Sequence, residues 1–275
     1  MVIHSKKYFI PVLVMVIFIL SGCSNDLLGL FGSGDFGKRW PAHNTFNFLD
    51  STDRNITLGS DYSFIVLADI HITEESDLRI EKLKNVIDSE NIDFVVFCGD
   101  ITQNGERKQI NIFKDAAAYF NVPCYPVIGN HDVYFGNWPV WEELIGSTCY
   151  RVDGSGTTLL VLDSANGFFG KDQLDWLENE VKKTSGRLFV FTHTNMFVKS
   201  SFEIQQFADN RERARITSIL KGKCDIMFMG HLHQRVINEL GSTLYLTIED
   251  FRDKAAYCLV WVTPDKVSWE VRNLK

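Results

Sequence analysis

The sequence predicts one α/β (α+β) domain in which two stacked mixed β-sheets are flanked by helices. Three observations carry that reading. Short uninterrupted apolar runs recur from Tyr62 onward, amphipathic stretches separate them, and four strand-like segments follow in close succession toward the C-terminus. Continuous apolar strands between amphipathic helices indicate a sheet covered on its faces by helices. The C-terminal segments read as consecutive antiparallel strands, and two stacked sheets accommodate both patterns.

Taken in order, residues 1–22 read as a signal peptide. Lys6 and Lys7 precede an apolar run of thirteen residues, Tyr8 to Leu20. A membrane-spanning helix needs roughly 20 apolar residues, so this length suits the h-region of a signal. The run ends in Leu20-Ser21-Gly22-Cys23, which resembles the bacterial lipobox. Lipidation of Cys23 would anchor an exported chain to a bacterial membrane, on its periplasmic or cell-surface side. Residues 23–60, rich in Gly, Ser, Asn and Asp, read as a tether that becomes ordered toward its C-terminal end, and residues 61–275 as the domain.

Removing Lys6 and Lys7 from the 28 basic residues leaves 26 against 35 acidic ones. An acidic chain without a basic stripe argues against nucleic acid as a partner. With Cys23 lipidated, Cys98, Cys124, Cys149, Cys224 and Cys258 remain. They have no CxxC spacing and sit mostly in apolar runs, as buried thiols do. Export permits a disulfide among them without demanding one.

Strands are expected at 64–68, 94–98, 124–128, 158–162, 188–192 and 224–229. Helices are expected at 77–89, 106–120, 171–183 and 204–220, and the C-terminal strands at 235–239, 244–247, 257–262 and 266–271. The informative residues are those that end the strands. The first run ends in Asp69-Ile70-His71, the second in Gly99-Asp100, and the third in Gly129-Asn130-His131-Asp132. Later runs end in His193 and in Gly230-His231-Leu232-His233. Ligands collect at the carboxyl ends of strands in sheets of this kind. Asp69 with His71, and His231 with His233, are spaced to project to one side of an extended backbone. Glycine before the polar residues permits sharp turns and close approach. Each motif alone reads at least as readily as a turn, a cap, a surface histidine or a packed one. Together they place five of the seven histidines, with Asp and Asn, at one edge of a sheet.

That series, Asp69-x-His71, Gly99-Asp100, Gly129-Asn130-His131-Asp132, His193 and Gly230-His231-x-His233, resembles the calcineurin-like metallophosphoesterases over residues 62–271. The segment from Val161-Leu162-Asp163-Ser164 to Gln173-Leu174-Asp175-Trp176-Leu177 is also similar to bacterial members. The resemblance implies a four-layer sandwich and two divalent or trivalent metal ions. One ion would be held by Asp69, His71, Asp100 and His233, and the other by Asp100, Asn130, His193 and His231. Asp100 would bridge with one oxygen to each, and a shared hydroxide would attack phosphorus. His131 would act on the leaving oxygen as a general acid. Imidazole and carboxylate donors suit Mn, Fe, Zn, Co or Ni alike.

The sequence departs from the family pattern at two places: Thr194-Asn195-Met196-Phe197 follows His193 without a proline, and Ile101 stands where protein phosphatases have Arg. Neither removes a ligand. The implied function is hydrolysis of small phosphate esters, mono- or diesters, outside the cytoplasm. A non-catalytic metal-binding lipoprotein and a nuclease are the alternatives. Asp163 either anchors a turn or supports a site histidine. Trp138 and Trp141 either pack a helix or floor a pocket. Oligomeric state is left open.

Overall fold

A computed structural model describes residues 36–43, 45–49, 53–74, 79–197 and 210–275. The signal peptide, Cys23 and the beginnings of the helices expected at 77 and 204 lie outside the described residues. In chain order the elements are α1 (Phe36–Arg39), β1 (Tyr62–Leu67), α2 (Ile80–Ser89), β2 (Phe94–Cys98), α3 (Arg107–Phe120) and β3 (Cys124–Val127). They continue with α4 (Trp138–Leu144), β4 (Tyr150–Gly154), β5 (Thr157–Val161), α5 (Lys171–Lys183), β6 (Arg187–Phe191) and α6 (Asn210–Leu220). The chain ends with β7 (Ile226–Met229), β8 (Val236–Leu240), β9 (Thr243–Thr247), α7 (Phe251–Lys254), β10 (Ala256–Val262) and β11 (Val267–Asn273).

One sheet runs β11-β10-β1-β2-β3 and the other β4-β5-β6-β7-β9-β8. The two-residue period of a strand explains why the central strands of each sheet are apolar on both faces. On β1, Phe64 and Val66 enter the layer between the sheets, while Ile65 and Leu67 face the α2–α4 side. On β6, Phe189 and Phe191 enter the same middle layer, and Leu188 and Val190 pack outward against α5 and α6. Stacked and edge-on rings, such as Phe64 on Phe94 (4.7 Å) and Phe191 on Phe228 (5.2 Å), fill the middle layer. The predicted layers, helix on sheet on sheet on helix, are all present.

The C-terminal strands differ from the expectation of one consecutive antiparallel run. They form two hairpins in different sheets: β8 pairs antiparallel with β9, and β10 with β11. β9 lies parallel to β7, and β10 antiparallel to β1. The crossover between them is made at α7, where the Asp250 carboxylate accepts from the Asp253 and Lys254 N–H groups and Phe251 is buried. This cap breaks the strand-like pattern. Trp138 and Trp141, 8% and 1% exposed, pack α4 into the core on the outer face of the first sheet. All five cysteines described are buried and unpaired.

Candidate metal centre

The loops carrying the predicted residues stay laced together beyond the strands. The N–H groups of Asp69, Ile70 and Ile72 donate to the carbonyls of Gly99, Asp100 and Ile101 (2.9–3.1 Å), and Gly230 N–H donates to His193 O (2.8 Å). The three glycines matter here because of proximity. A Cβ on Gly99 would lie 2.3 Å from His193 Nδ1, one on Gly129 2.2 Å from Asp100 Oδ1, and one on Gly230 2.9 Å from Asp69 Oδ2.

Asp69, His71, Asp100, His231 and His233 all have positive φ, between 49° and 74°. The extended backbone expected around Asp69-x-His71 and His231-x-His233 is therefore absent. The pairs converge because left-handed turns aim them inward. Left-handed backbone at non-glycine residues costs of order 1–3 kcal/mol each and persists where surrounding structure enforces it, commonly at functional sites.

The side chains converge in two groups around Asp100. In one, His193 Nε2 lies 3.1 Å from Asn130 Oδ1, 3.1 Å from His231 Nδ1 and 3.2 Å from Asp100 Oδ2. In the other, His233 Nε2 lies 3.3 Å from His71 Nε2 and 3.4 Å from Asp69 Oδ1, and His71 Nε2 is 3.8 Å from Asp100 Oδ2. Oδ2 faces both groups, whereas Oδ1 accepts from the His131 N–H (2.9 Å). The geometry thus offers one shared oxygen, not one oxygen to each side.

Whether these atoms suit cations is decided by their hydrogen bonds. His193 Nδ1–H donates to Cys98 O (3.1 Å), so Nε2 is the atom that bears the lone pair when the ring is neutral. Asn130 Nδ2 donates to Tyr134 Oη (2.8 Å), which turns Oδ1 inward. Electron-rich atoms therefore meet at 3.1–3.2 Å. Neighbouring donors around an octahedral ion with bonds of about 2.1 Å lie roughly 3 Å apart. The donor set fits divalent cations.

Electrostatics within the protein agree. Burial lowers His71 to about 4, and burial with the nearby His193 lowers His231 to about 4, so both offer neutral imidazoles. Burial works against protonation of His193, but the Asp100 charge and hydrogen bond outweigh it and raise it to about 9. Burial opposes ionisation of Asp100, yet the surrounding imidazoles hold it well below the usual carboxylate range.

His131 borders these donors, its ligand atom within 4.8 Å of those of His71 and Asp100. Its Nδ1–H donates to Gln103 O (2.8 Å), leaving Nε2 3.9 Å from Asp100 Oδ2, and its ring packs against Tyr134 and edge-on to His71. Several supporting groups escaped the sequence reading. Asp132 accepts from the N–H groups of Gly129 and Thr102 and from Thr102 Oγ1 (2.7–2.8 Å), stapling the Asp100 loop to the Asn130 loop. Burial and the Asp100 charge push its carboxyl up to about 6. Its place in Gly129-Asn130-His131-Asp132 was the only signal. The Gln103 carbonyl carries none, being backbone. Asp163 anchors its turn through Ala165 N–H (3.1 Å) and pairs with Arg39. Where the family pattern has a proline after His193, Asn195 here closes a side-chain turn with both N–H and carbonyl of Phe197.

The calcineurin-like phosphoesterase family model matches residues 62–235, the span that carries every one of these donors. The chain belongs to this family. It is accordingly a metal-dependent phosphoric ester hydrolase. It is 28% identical over 204 residues to a probable cyclic nucleotide phosphodiesterase of Fibrobacter succinogenes, covering 66% of this chain and 77% of that protein. It is 28% identical over 160 residues to a probable glycerophosphodiester phosphodiesterase of Arcobacter nitrofigilis, covering 52% of this chain and 57% of the relative. Among solved structures, a dimetal phosphatase from Danio rerio superposes with a TM-score of 0.62 at 15% identity, covering 78% of this chain and 96% of the other. Purple acid phosphatase from yellow lupin superposes with a TM-score of 0.63 at 13% identity, covering 78% and 52%. These superpositions establish the shared fold.

Proposed function

We propose that this phosphoesterase hydrolyses small phosphodiesters with two metal ions, one held by Asp69, His71, Asp100 and His233 and the other by Asp100, Asn130, His193 and His231. The observation that carries the reading is the position of Asp100 Oδ2, 3.2 Å from His193 Nε2 on one side and 3.8 Å from His71 Nε2 on the other. Bound cations there supply Lewis acidity and a water of lowered pKa. Asn130, oriented by Tyr134, and His193, oriented by Cys98 O, hold their donor atoms in place before any substrate arrives. His131, its Nδ1 committed to Gln103 O, presents Nε2 to donate a proton to the departing alkoxide. The names of the two curated relatives support a diester over a monoester substrate. The formal net charge of −7 supports small substrates over nucleic acid.

The protein is further proposed to work outside the cytoplasm, held to a membrane through Cys23, on the strength of Leu20-Ser21-Gly22-Cys23 after the apolar run. In its native host, Cys23→Ala should move it from the membrane to the soluble fraction, and an unchanged distribution would refute the anchor.

The activity is tested with purified protein, a chromogenic phosphodiester and the matching monoester, with and without Mn²⁺. Faster turnover of the diester, dependent on the cation, is expected. Absence of hydrolysis of either ester with Mn, Fe, Zn, Co or Ni would sink the assignment, and preference for the monoester would overturn the diester reading.

A further inference from the structure

The residues on either side of His193 are both gripped by one side chain. Ser164 Oγ accepts from Thr192 Oγ1 (2.7 Å) and from the Thr194 N–H (2.8 Å), and Thr194 Oγ1 donates back to Ser164 O (2.7 Å). All four residues, His193 included, are buried, at 0–3% exposure. A hydroxyl in that position fixes the backbone before and after the histidine, and so the direction of its ring.

Ser164 is in turn held from outside the family-matched region. Its neighbour Asp163 receives a two-pronged contact from Arg39, Nε to Oδ2 (2.6 Å) and Nη2 to Oδ1 (2.8 Å). Both side chains are 0% exposed. Gln173 closes the other side, accepting from Asp163 N–H (2.7 Å) and donating to Asp163 O (2.8 Å). A guanidinium fork on a carboxylate is directional as well as strong, and a buried pair of this kind fixes geometry more reliably than it adds stability.

We infer that Arg39, in the segment leading out of the N-terminal region, is a positioning residue for the metal centre: through Asp163 and Ser164 it sets His193, and with it the ion held by Asp100, Asn130, His193 and His231. This rests on the two-ion reading above. The family match begins at residue 62, so Arg39 lies outside the matched span. Residues expected to be a tether would thus complete the site. Phe36, packed against Gly170, and the buried Ala42 hold Arg39 in place on either side.

The test is Mn²⁺ titration of full-length protein by calorimetry and electron paramagnetic resonance. Three variants are compared with the parent: Ser164→Ala, Arg39→Met combined with Asp163→Leu, and His193→Asn. The double change removes both charges together, so no unpaired ion is left buried, and His193→Asn shows which ion belongs to that half. Outer partners of metal ligands typically contribute about 10–100-fold in affinity. The same ion that His193→Asn loses is expected to weaken by that factor in both other variants, with the second ion within about twofold of the parent. Affinities unchanged for both ions, or weakened equally for both, would overturn the inference, even where melting temperature falls. If the double variant does not fold, Ser164→Ala decides alone. A parent that binds only one ion would instead refute the two-ion reading itself.

Discussion

The two halves of the donor cluster are built differently. The half around His193 is the more enclosed: His193 is 0% and Asp100 2% exposed at the side chain, and His193 and Asn130 each have a second hydrogen bond that sets its direction. The half around His233 opens to solvent, with that side chain 32% exposed. His71 Nδ1 is buried without a hydrogen-bond partner among the described residues, and the His233 loop is held by Lys254 Nζ at its backbone carbonyl. On the proposed two-ion reading, one site would be preorganised by the fold and the other finished by its ligands. The closed half should hold its ion tightly, and the open half should exchange it.

The largest effect should come from the residue common to both halves. Asp100→Asn weakens the shared oxygen, and kcat/KM on a phosphodiester is expected to fall by at least about 10³-fold with loss of both ions. A variant that keeps both ions and most of its activity would remove the basis for treating the halves as one centre. Next comes His131→Asn, at a residue outside the proposed ligand set that packs edge-on to His71. The expected loss is about 10²–10⁴-fold on substrates with a poor leaving group, and much less on a nitrophenyl ester that needs no proton. Metal content should not change. Equal losses on both substrates would argue against a general acid.

A smaller effect separates the halves directly. Brief treatment with a chelator should strip one ion per chain, and the ion that remains should be the one lost in His193→Asn. Simultaneous loss of both would erase the distinction between closed and open sites.

The smallest effect is on pH. His193 must give up its proton to bind a cation, and the protein alone raises its pKa to about 9. Affinity at the closed half should therefore rise about tenfold per pH unit from neutrality and level off near pH 9. The sign for stability of the metal-free protein is opposite. A raised folded-state pKa contributes stability that is complete below the unfolded value of about 6.5 and is lost as pH rises through about 9. Melting temperature with chelator present should therefore fall across that interval. Flat profiles in both measurements would mean that Asp100 does not hold a proton on His193.

How much of this was visible in the sequence follows from what each contact is made of. Strands β1, β2 and β6 show as continuous apolar runs because both faces of each sheet are covered, and the donor side chains show because they end those runs. The hairpin partition at the C-terminus was hidden, since four similar strand patterns do not say which sheet each joins. It is the Asp250 cap and buried Phe251 that divide them. The left-handed backbone at Asp69, His71, Asp100, His231 and His233 was hidden because none of them is glycine. The supporting shell was hidden for another reason. Gln103 acts through its carbonyl, Ser164 bonds to residues 28 and 30 positions away, and Arg39 meets a partner 124 positions away.

The proposed two-ion centre stands or falls with Asp100 Oδ2 serving both halves. Electron paramagnetic resonance of the protein loaded with two Mn²⁺ per chain measures this, because ions roughly 3.5–4 Å apart with a common oxygen are magnetically coupled. A coupled spectrum that becomes that of isolated ions, or disappears, in Asp100→Asn is the predicted result. Two ions per chain with uncoupled spectra in the parent protein would contradict it.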